Sequence, residues 1–358
     1  MLDEFLNKII VGDCIEIMKR LPNESVDLIF ADPPYNMQLD NTLMRFEGTE
    51  FKGVKDDLWD KFSSIKEYAK FSKEWITECK RIMKKNASLW IIGSFQNIYI
   101  VGNILQEMDF WIFNDIIWNK QNPVPNFSGA RFTNAHETLL WVVKNKTAKP
   151  TFNYKTMKEY NGGKQMKSVW DIPLCTGKER LKNDEGIKLH STQKPEELLR
   201  RVILSTSKEG DIILDPFFGT GTTGAVAKRL KRRYIGIEMD TNYAGYAQKR
   251  IDIIFHENIS KYNEIESKPA KVTHKMLLDS GLIKENQELH SKNGDFFAVW
   301  KGDGKVAFEN EILSIHIASA RCLKKANNNG WTYWHVKKGD TLVCIDTLRE
   351  EYRKKYNI

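Results

Sequence analysis

The chain has 358 residues, of which 41% are hydrophobic and 28% charged, and this composition is typical of a soluble globular protein. Its length predicts one large domain and a smaller one, and no apolar run approaches the roughly 20 residues that a membrane helix needs. The N-terminus is acidic where an export signal would be basic, so the cytoplasm is the expected location. The net charge of +8 favours polyanionic partners, of which nucleic acid is the commonest.

The cysteines and histidines predict neither a disulfide framework nor a metal site. The five cysteines are scattered without a CxxC pair, and none of the seven histidines has the spacing of metal ligands. We therefore expect free thiols, structural roles for His136 and His190, and chemistry that needs no metal.

The chain opens with the pattern of a strand, a helix and a second strand. Asp13, which follows a short apolar strand, has Glu16 three residues later, and this is the form of a capping box. The first helix is therefore expected to start at Asp13 or Cys14. The apolar strand VDLIFA (26–31) follows and leads directly into DPPY (32–35).

The segment after DPPY is polar and about 25 residues long. A loop that only connects two elements is usually shorter, so we interpret this segment as a lid or binding loop. Residues 64–85 then place apolar side chains at spacings of three and four, which predicts an amphipathic helix. The following patterns predict a strand, a helix and two strands joined by a Pro- and Gly-rich loop, at 88–93, 97–108, 111–120 and 137–144.

Residues 145–190 are polar and weakly periodic, and they form a possible recognition insertion. Regular patterns then resume, with predicted helices at 191–207, 223–230 and 241–255 and predicted strands at 211–215 and 234–238.

The alternation of strands and helices predicts an α/β fold with a doubly wound, mostly parallel, seven-stranded sheet. A loosened pattern at 260–271 predicts a linker between a large domain (1–259) and a small C-terminal domain (271–358) with short strand-like pieces.

The turn between the strand DIILD and the next helix is rich in glycine. Gly219, Gly221 and Gly224 spell GxGxxG, and Glu238 ends the following strand, where an acid can accept hydrogen bonds from a ribose. This arrangement predicts a nucleoside-bearing cofactor at the start of the helix. On this motif alone, an NAD-dependent dehydrogenase is an alternative.

DPPY carries the chemistry that separates these alternatives. Two prolines after an acid extend the backbone and remove two N–H donors, which leaves only acceptors at the edge of the sheet. An exocyclic amino group suits this arrangement: Asp32 accepts one hydrogen, the Pro33 carbonyl accepts the other, and the nitrogen lone pair becomes free to attack. Tyr35 could stack on a base flipped out of a duplex, whereas the alternative for DPPY is a simple turn.

DPPY, together with an FxGxG turn late in the chain, resembles the amino-methyltransferases that use S-adenosylmethionine, in their circularly permuted beta class. GDCIE, NPVPNF, RFTNAHET, LCTGKER, HSTQKPE and NNNGWTYWH extend the likeness over nearly the whole chain. They are similar to motifs of the HinfI-type and CcrM-type adenine-N6 DNA methyltransferases. The resemblance implies a permuted Rossmann-like methyltransferase fold and the target GANTC.

The resemblance also implies roles for individual residues. Asp32, Pro33, Pro34 and Tyr35 would hold and activate adenine. Ser191 stands where many relatives have proline, which is a minor departure. The cofactor-binding residues would be Asp13 and Cys14 near the cofactor adenine, Gln193 and Lys194 facing the methionine carboxylate, Asp215, Phe217, Gly219 and Gly221 around the methionine part, and Glu238 on the ribose.

DNA contacts are expected from the loop after DPPY, the loop before 137 and the C-terminal domain. Asn126 and Arg131 supply donors suited to reading base edges. Asn329, Trp331 and Trp334 are further candidates, although the spacing of the two tryptophans equally fits the core of a small domain.

The expected partner is double-stranded DNA, and the resemblance implies a homodimer. A cognate restriction endonuclease, acting in the same system without a stable complex, is a further possibility, and no membrane association is expected. The alternatives in function are cytosine-N4 methylation, for which SPPY is commoner than DPPY, an NAD-dependent dehydrogenase and a noncatalytic DNA-binding protein.

Overall fold

A computed structural model of the chain describes residues 2–35, 62–126, 129–177, 179–182, 186, 188–189, 192–256, 271–302 and 304–356. The chain divides into two compact units, Met1–Ile265 and Glu266–Ile358. Nearly all of the predicted loop after DPPY and of the predicted linker at 260–271 lies outside the described residues.

The first unit contains an eight-stranded sheet in the order β1-β8-β7-β2-β3-β5-β4-β6. β5 pairs antiparallel with β3 and β4, and the other neighbouring pairs are parallel. The strands are Lys8–Val11 (β1), Val26–Ala31 (β2), Met83–Gly93 (β3), Trp111–Lys120 (β4), His136–Val143 (β5), Val169–Ile172 (β6), Ile212–Asp215 (β7) and Arg233–Glu238 (β8).

Helices cover both faces of this sheet, so the predicted doubly wound, mostly parallel fold is confirmed. β2 shows the alternation clearly, because Ile29 and Ala31 enter one core while Leu28 and Phe30 enter the other. The first core receives Cys14–Lys19 (α1), Ile65–Ile82 (α2) and Ile98–Glu107 (α3), and the second receives Tyr154–Tyr160 (α4), Glu196–Thr206 (α5), Thr222–Arg229 (α6) and Thr241–Asp252 (α7).

The eighth strand, β6, comes from the segment 145–190, which the sequence presents as a possible insertion. This segment also forms α4, whose Met157 enters the second core, so its first half belongs to the eight-stranded sheet and its packing helices. Periodicity misses β6 because only four residues, VWDI, pair with the end of β4. The predicted helix 64–85 is also shorter than expected: it ends at Ile82 because Met83 already pairs with Val26.

The glycines of the late turn have different physical tasks. Gly219 and Gly221 have φ of 53° and 75°, a backbone conformation that side chains disfavour. A Cβ atom at Gly224 would lie 2.5 Å from the Phe218 ring, and one at Gly236 in β8 would meet the same ring at 2.5 Å. The turn, helix α6 and strand β8 therefore pack around one aromatic side chain.

The second unit has a six-stranded sheet in the order β12-β11-β10-β9-β13-β14, with antiparallel pairing throughout. Its core contains Trp300 and Trp334, both fully buried. The strands are Glu288–His290 (β9), Phe297–Gly302 (β10), Lys305–Phe308 (β11), Glu311–Ser314 (β12), His335–Lys338 (β13) and Thr341–Cys344 (β14), and the helices are His274–Asp279 (α8), Ile315–Cys322 (α9), Gly330–Tyr333 (α10) and Ile345–Tyr356 (α11).

Within the described ranges, the helices are either too short or too polar to cross a bilayer.

The packing around Phe218 predicts that Gly236→Ala destabilises the first unit. The new methyl group would overlap the ring, and overpacking of this kind costs about 1–3 kcal/mol of unfolding free energy. Chemical denaturation measures the loss. Gly245→Ala is the matched control, because Gly245 lies on helix α7 with open space around it, and this change is expected to leave stability equal or about 1 kcal/mol higher. Equal stabilities of the two variants would contradict the prediction.

Candidate active site

The predicted catalytic and cofactor residues meet at one edge of the first sheet. Asp32 follows the carboxyl end of β2, Asp215 ends β7 and Glu238 ends β8. Because β2, β7 and β8 are parallel neighbours, their carboxyl ends lie side by side. The tertiary fold thus joins DPPY to the late glycine turn, as the permuted order implies.

Asp32 has one occupied and one open carboxylate oxygen. Its Oδ2 accepts a hydrogen bond from Lys194 Nζ at 2.7 Å. Its Oδ1 is buried and accepts no hydrogen bond from the described part of the chain. Burial raises the pKa of Asp32, although Lys194 opposes this shift. The open oxygen is therefore a desolvated acceptor without a donor.

The two prolines hold the backbone next to this acceptor. The Pro34 carbonyl accepts from the Tyr68 hydroxyl at 3.0 Å, and that hydroxyl accepts from the Asn97 side-chain amide at 3.0 Å. These buried bonds tie DPPY to helix α2 and to the N-terminus of α3. The Pro34 carbonyl thus already has a donor, whereas the predicted chemistry uses the carbonyl of Pro33.

Tyr35 is part of a buried polar network that the sequence analysis did not identify. Its hydroxyl donates to Glu137 Oε2 at 2.9 Å, and Lys194 Nζ lies 5.1 Å from the centre of its ring. Glu137 also pairs with Lys120, with 2.7 Å between Nζ and Oε1. Burial would raise the pKa of Glu137, but the two lysines outweigh it and lower the pKa.

Glu137 and Lys120 escaped prediction because each lies within a strand pattern. Glu137 is the second residue of β5, and Lys120 is the last residue of β4. Since β5 is antiparallel, its first residues lie at the same edge as the carboxyl ends of the parallel strands. A single acid at the start of an otherwise apolar strand is the sequence signal that could have found it.

The glycine turn is held by two acids. Glu238 Oε2 accepts from the Gly219 backbone at 2.6 Å. Asp215 accepts from the Phe217 backbone at 2.9 Å and from the Thr223 hydroxyl at 2.5 Å. Asp215 is only 3% exposed, and burial raises its pKa from 3.8 to about 7, with further contributions from the nearby charges of Asp32 and Glu238.

Aromatic packing fixes the remaining side of the turn. The Phe217 ring meets Trp75 of helix α2 edge to face, with 5.3 Å between ring centres. Gly221 lies at the start of α6, where a Cβ atom would be 2.8 Å from the Cβ of Ala247. The turn therefore contacts helices on both faces of the sheet.

Asp13 caps helix α1, as the capping box predicts, because its carboxylate accepts from the backbones of Ile15 and Glu16. Cys14 is the first residue of that helix, and burial raises the pKa of its thiol to about 12. Gln193 is buried, and its side chain binds the backbone of Glu179 and Leu181.

Lys194, which is predicted to face a cofactor carboxylate, lies beside the first residue of DPPY. In the described structure its ammonium group binds Asp32 and lies 4.0 Å from Glu137. These carboxylates raise the pKa of Lys194, although burial acts in the opposite direction.

The predicted DNA-contacting residues have different environments. Asn126 and Arg131 belong to the loop between β4 and β5, at the same edge as Asp32, and the Arg131 guanidinium lies 5.5 Å from the centre of the Phe95 ring. The neighbouring Phe132 is 98% exposed.

In the second unit, Asn329 is exposed and caps α10 through the Trp331 backbone, and the half-buried Trp331 ring lies under Arg349 at 4.4 Å. Trp334 is a core residue and not a DNA contact. It is 0% exposed and its ring N–H donates to the Ile315 carbonyl, so no surface is left for DNA.

Comparisons with known proteins identify the family of each unit. Residues 26–249 match the N6/N4 DNA methylase family, and residues 259–357 match RAMA, the restriction enzyme adenine methylase associated family. The chain is 55% identical over 352 residues to the type II methyltransferase M.HinfI of Haemophilus influenzae, covering 98% of each chain. It is 47% identical over 249 residues to the type II methyltransferase M2.DpnII of Streptococcus pneumoniae, covering 69% of this chain and 90% of that one.

Two solved structures share the fold of the first unit. The M1.HpyAVI–SAM complex has a TM-score of 0.51 and 29% identity and covers 69% of this chain and 99% of its own. The cytosine-N4-specific PvuII DNA methyltransferase has a TM-score of 0.53 and 20% identity, covers 71% of this chain and 89% of its own, and is a likeness of fold alone. The chain therefore belongs to the N6/N4 DNA methylase family and is a DNA methyltransferase.

Proposed function

We propose that this enzyme methylates the N6 atom of adenine at GANTC sites in double-stranded DNA, with S-adenosylmethionine as the methyl donor and with the adenine flipped out of the duplex. The observation that carries the proposal is the open Oδ1 of Asp32. It is a buried acceptor in the first residue of DPPY, at the carboxyl edge of the sheet and next to the glycine turn.

An adenine amino group has the donors that this acceptor lacks. One N–H reaches Asp32 Oδ1 and the other reaches the Pro33 carbonyl, which concentrates the nitrogen lone pair on the side facing the methyl donor. Pro34 is the less available acceptor, because its carbonyl already accepts from the Tyr68 hydroxyl. Since a base inside a duplex cannot reach a buried carboxylate, the adenine must leave the stack.

The residues around the glycine turn suit a cationic nucleoside cofactor. Asp215 and Glu238 are acids at adjoining strand ends, and burial raises the pKa of both, so a positive charge nearby would be stabilising. S-adenosylmethionine supplies a methyl group on a cationic sulfonium. We assign the ribose to Glu238, the adenine end to Asp13 and Cys14, and the methionine part to Asp215, Phe217, Gly219 and Gly221, with Gln193 and Lys194 nearby.

Adenine is favoured over cytosine as the target. The C-terminal match to an adenine methylase associated family supports this choice, as does the aspartate-led DPPY motif. The specific site GANTC rests on the resemblance to HinfI-type enzymes, which spans nearly the whole chain.

We assign DNA contacts to the loop between β4 and β5 and to the second unit. Arg131 and Asn126 offer hydrogen-bond donors, and the exposed Phe132 offers a ring for stacking. Asn329 and Trp331 are the corresponding candidates in the second unit. We also propose that the enzyme is a homodimer and that a restriction endonuclease shares its target site without a stable complex.

The first test is methylation of a duplex with one GANTC site by the purified enzyme and S-adenosylmethionine. Nucleoside mass spectrometry is expected to find N6-methyladenine in this duplex and none in a duplex with a scrambled site. Methylation of adenine at another sequence would overturn GANTC alone. N4-methylcytosine, or no methylated base with the cofactor bound, would overturn the adenine assignment.

Asp32→Ala is expected to abolish methylation while leaving cofactor binding intact. The change removes the acceptor for the amino group, and loss of an electrostatic group of this kind costs about 100-fold or more in rate. Methylation rates and calorimetric binding of S-adenosylmethionine measure the two properties. Asp115→Asn, an exposed aspartate of β4, is the control and should keep both. A variant that lost cofactor binding together with activity would contradict the assignment.

The raised pKa of Asp215 predicts that protons compete with cofactor binding. A cationic cofactor favours ionised Asp215, whose pKa is about 7. Protonation of this group should therefore make the wild-type Kd about tenfold higher at pH 6 than at pH 8. Asp215→Asn keeps an acceptor oxygen but cannot titrate.

Titration of the cofactor itself affects the wild type and the Asp215→Asn variant equally. The ratio of the variant Kd to the wild-type Kd should therefore fall about tenfold from pH 8 to pH 6. A ratio that is constant over this range would refute the role of Asp215.

A further inference from the structure

Glu137 is a buried acid that the proposed chemistry does not use directly. It is 8% exposed and lies at the start of β5, where its Cα pairs with that of Trp118 in β4. An isolated carboxylate at such a site would be strongly destabilising, because burial removes its hydration. Its retention as an ion therefore depends on the partners that surround it.

The two oxygens of Glu137 have separate partners. Oε1 pairs with Lys120 at 2.7 Å, and Oε2 accepts from the Tyr35 hydroxyl at 2.9 Å. Lys194 Nζ lies 4.0 Å from Oε2 and 2.7 Å from Asp32 Oδ2. Two carboxylates and two ammonium groups thus form a buried network whose formal charges cancel.

Glu137 fixes the orientation of Tyr35. The Tyr35 hydroxyl donates to Glu137, and the Lys194 ammonium lies over the ring of the same tyrosine. Tyr35 is the residue after Pro34, so this bond also fixes the end of DPPY. Loss of the bond would free the ring that stacks on the target base.

Glu137 also weakens the electrostatic interaction of Lys194 with Asp32. With both carboxylates present, the Lys194 ammonium is attracted toward each of them. Without the charge of Glu137, Asp32 would be the remaining carboxylate within 4.0 Å of this ammonium in the described chain. The positive charge of Lys194 would then act mainly on Asp32, and it would compete more strongly with the incoming amino group for the electron density of that carboxylate.

We propose that Glu137 is a positioning residue for methyl transfer: anchored by Lys120, it holds Tyr35 in place and balances Lys194, so that Asp32 keeps one oxygen open for the target amino group. This inference rests on the proposed role of Asp32. Glu137 itself does not touch the reacting atoms; it acts through Tyr35 and Lys194.

The main test is Glu137→Gln in the full-length enzyme on a GANTC duplex. The amide oxygen can still accept from Tyr35, but the charge is lost. We expect kcat to fall about 10- to 100-fold, as for a small displacement of reacting groups, while KM for DNA and Kd for S-adenosylmethionine change by less than about threefold. Glu24→Gln is the matched control, because Glu24 pairs with Lys144 at an exposed site and its loss should leave kcat unchanged.

The pH profile separates positioning from a merely structural role. Asp32 accepts most strongly when it is ionised, and it is faced by Lys194, Glu137, Tyr35 and Asp215. Glu137 raises the pKa of Asp32 through like charge, so the acid limb of the kcat profile should move to lower pH in Glu137→Gln. A structural defect would lower kcat equally at every pH.

A second pair of variants covers the case in which Glu137→Gln does not fold. Tyr35→Phe removes only the hydroxyl, and we expect kcat to fall about three- to tenfold without loss of cofactor binding. Glu137→Asp keeps the charge and should retain more activity than Glu137→Ala. In the double variant, Tyr35→Phe should add little to Glu137→Ala, because both remove the same bond.

The outcomes distinguish this inference from the proposed function. A wild type that makes no N6-methyladenine overturns the proposed function. A wild type that methylates, with Glu137→Gln within about twofold of its kcat or with an unshifted acid limb, overturns the role of Glu137 alone. Fully additive losses in the double variant would also overturn it.

Discussion

The parallel pairing of β2 with β7 is the constraint on which the catalytic unit depends. Leu28 lies beside Ile213 and Ile29 beside Leu214, so the strand that ends in DPPY runs next to the strand that ends in the glycine turn. β2 is buried on both faces, and a slip of one residue would exchange its two faces. Hydrophobic packing of β2 therefore sets the position of Asp32 relative to the turn.

The acids gathered at this edge fall into two groups with different partners. On the DPPY side, Asp32 and Glu137 pair with lysines. On the side of the glycine turn, Asp215 and Glu238 accept hydrogen bonds from backbone N–H groups and a hydroxyl. This division suits the proposed ligands, because an uncharged amine approaches the balanced side and a cationic cofactor approaches the acids that no described lysine pairs with directly.

Burial gives this edge its chemical properties. Desolvation raises the pKa of Asp32 and Asp215 and makes each hydrogen bond and ion pair stronger than it would be in water. Each charged group of the network therefore needs its partner. Removal of one member would leave an unpaired buried charge, which is destabilising, whereas the paired carboxylates and lysines are tolerated. This requirement explains why a lysine, Lys194, and an acid, Glu137, are buried next to each other at this edge.

The local features of this protein can be predicted from its amino-acid sequence. DPPY at the end of an apolar strand, the glycines of the turn, the cap at Asp13 and the alternation of strands and helices are all encoded within short windows, because each depends on neighbouring residues or on one period of a helix or strand. These features were enough for the fold class of the first unit and for most of the residues at its edge. They did not reveal β6, which consists of four residues at the end of the sheet and depends on pairing with β4.

Contacts of charged and aromatic side chains between distant segments, in contrast, become visible in the folded chain. The hydrogen bond from Lys194 to Asp32 joins residues 162 positions apart in the chain. The bond from Tyr35 to Glu137, which also pairs with Lys120, joins residues 102 positions apart. The bond from Tyr68 to the Pro34 carbonyl spans 34 positions. The spacing of Trp331 and Trp334 likewise fits a core role and a surface role equally well. The burial of Trp334 in the folded unit shows that this tryptophan is a core residue. Sequence patterns report the periodicity of one element, whereas a buried ion network depends on which elements the sheet brings together, and that depends on packing of the whole unit.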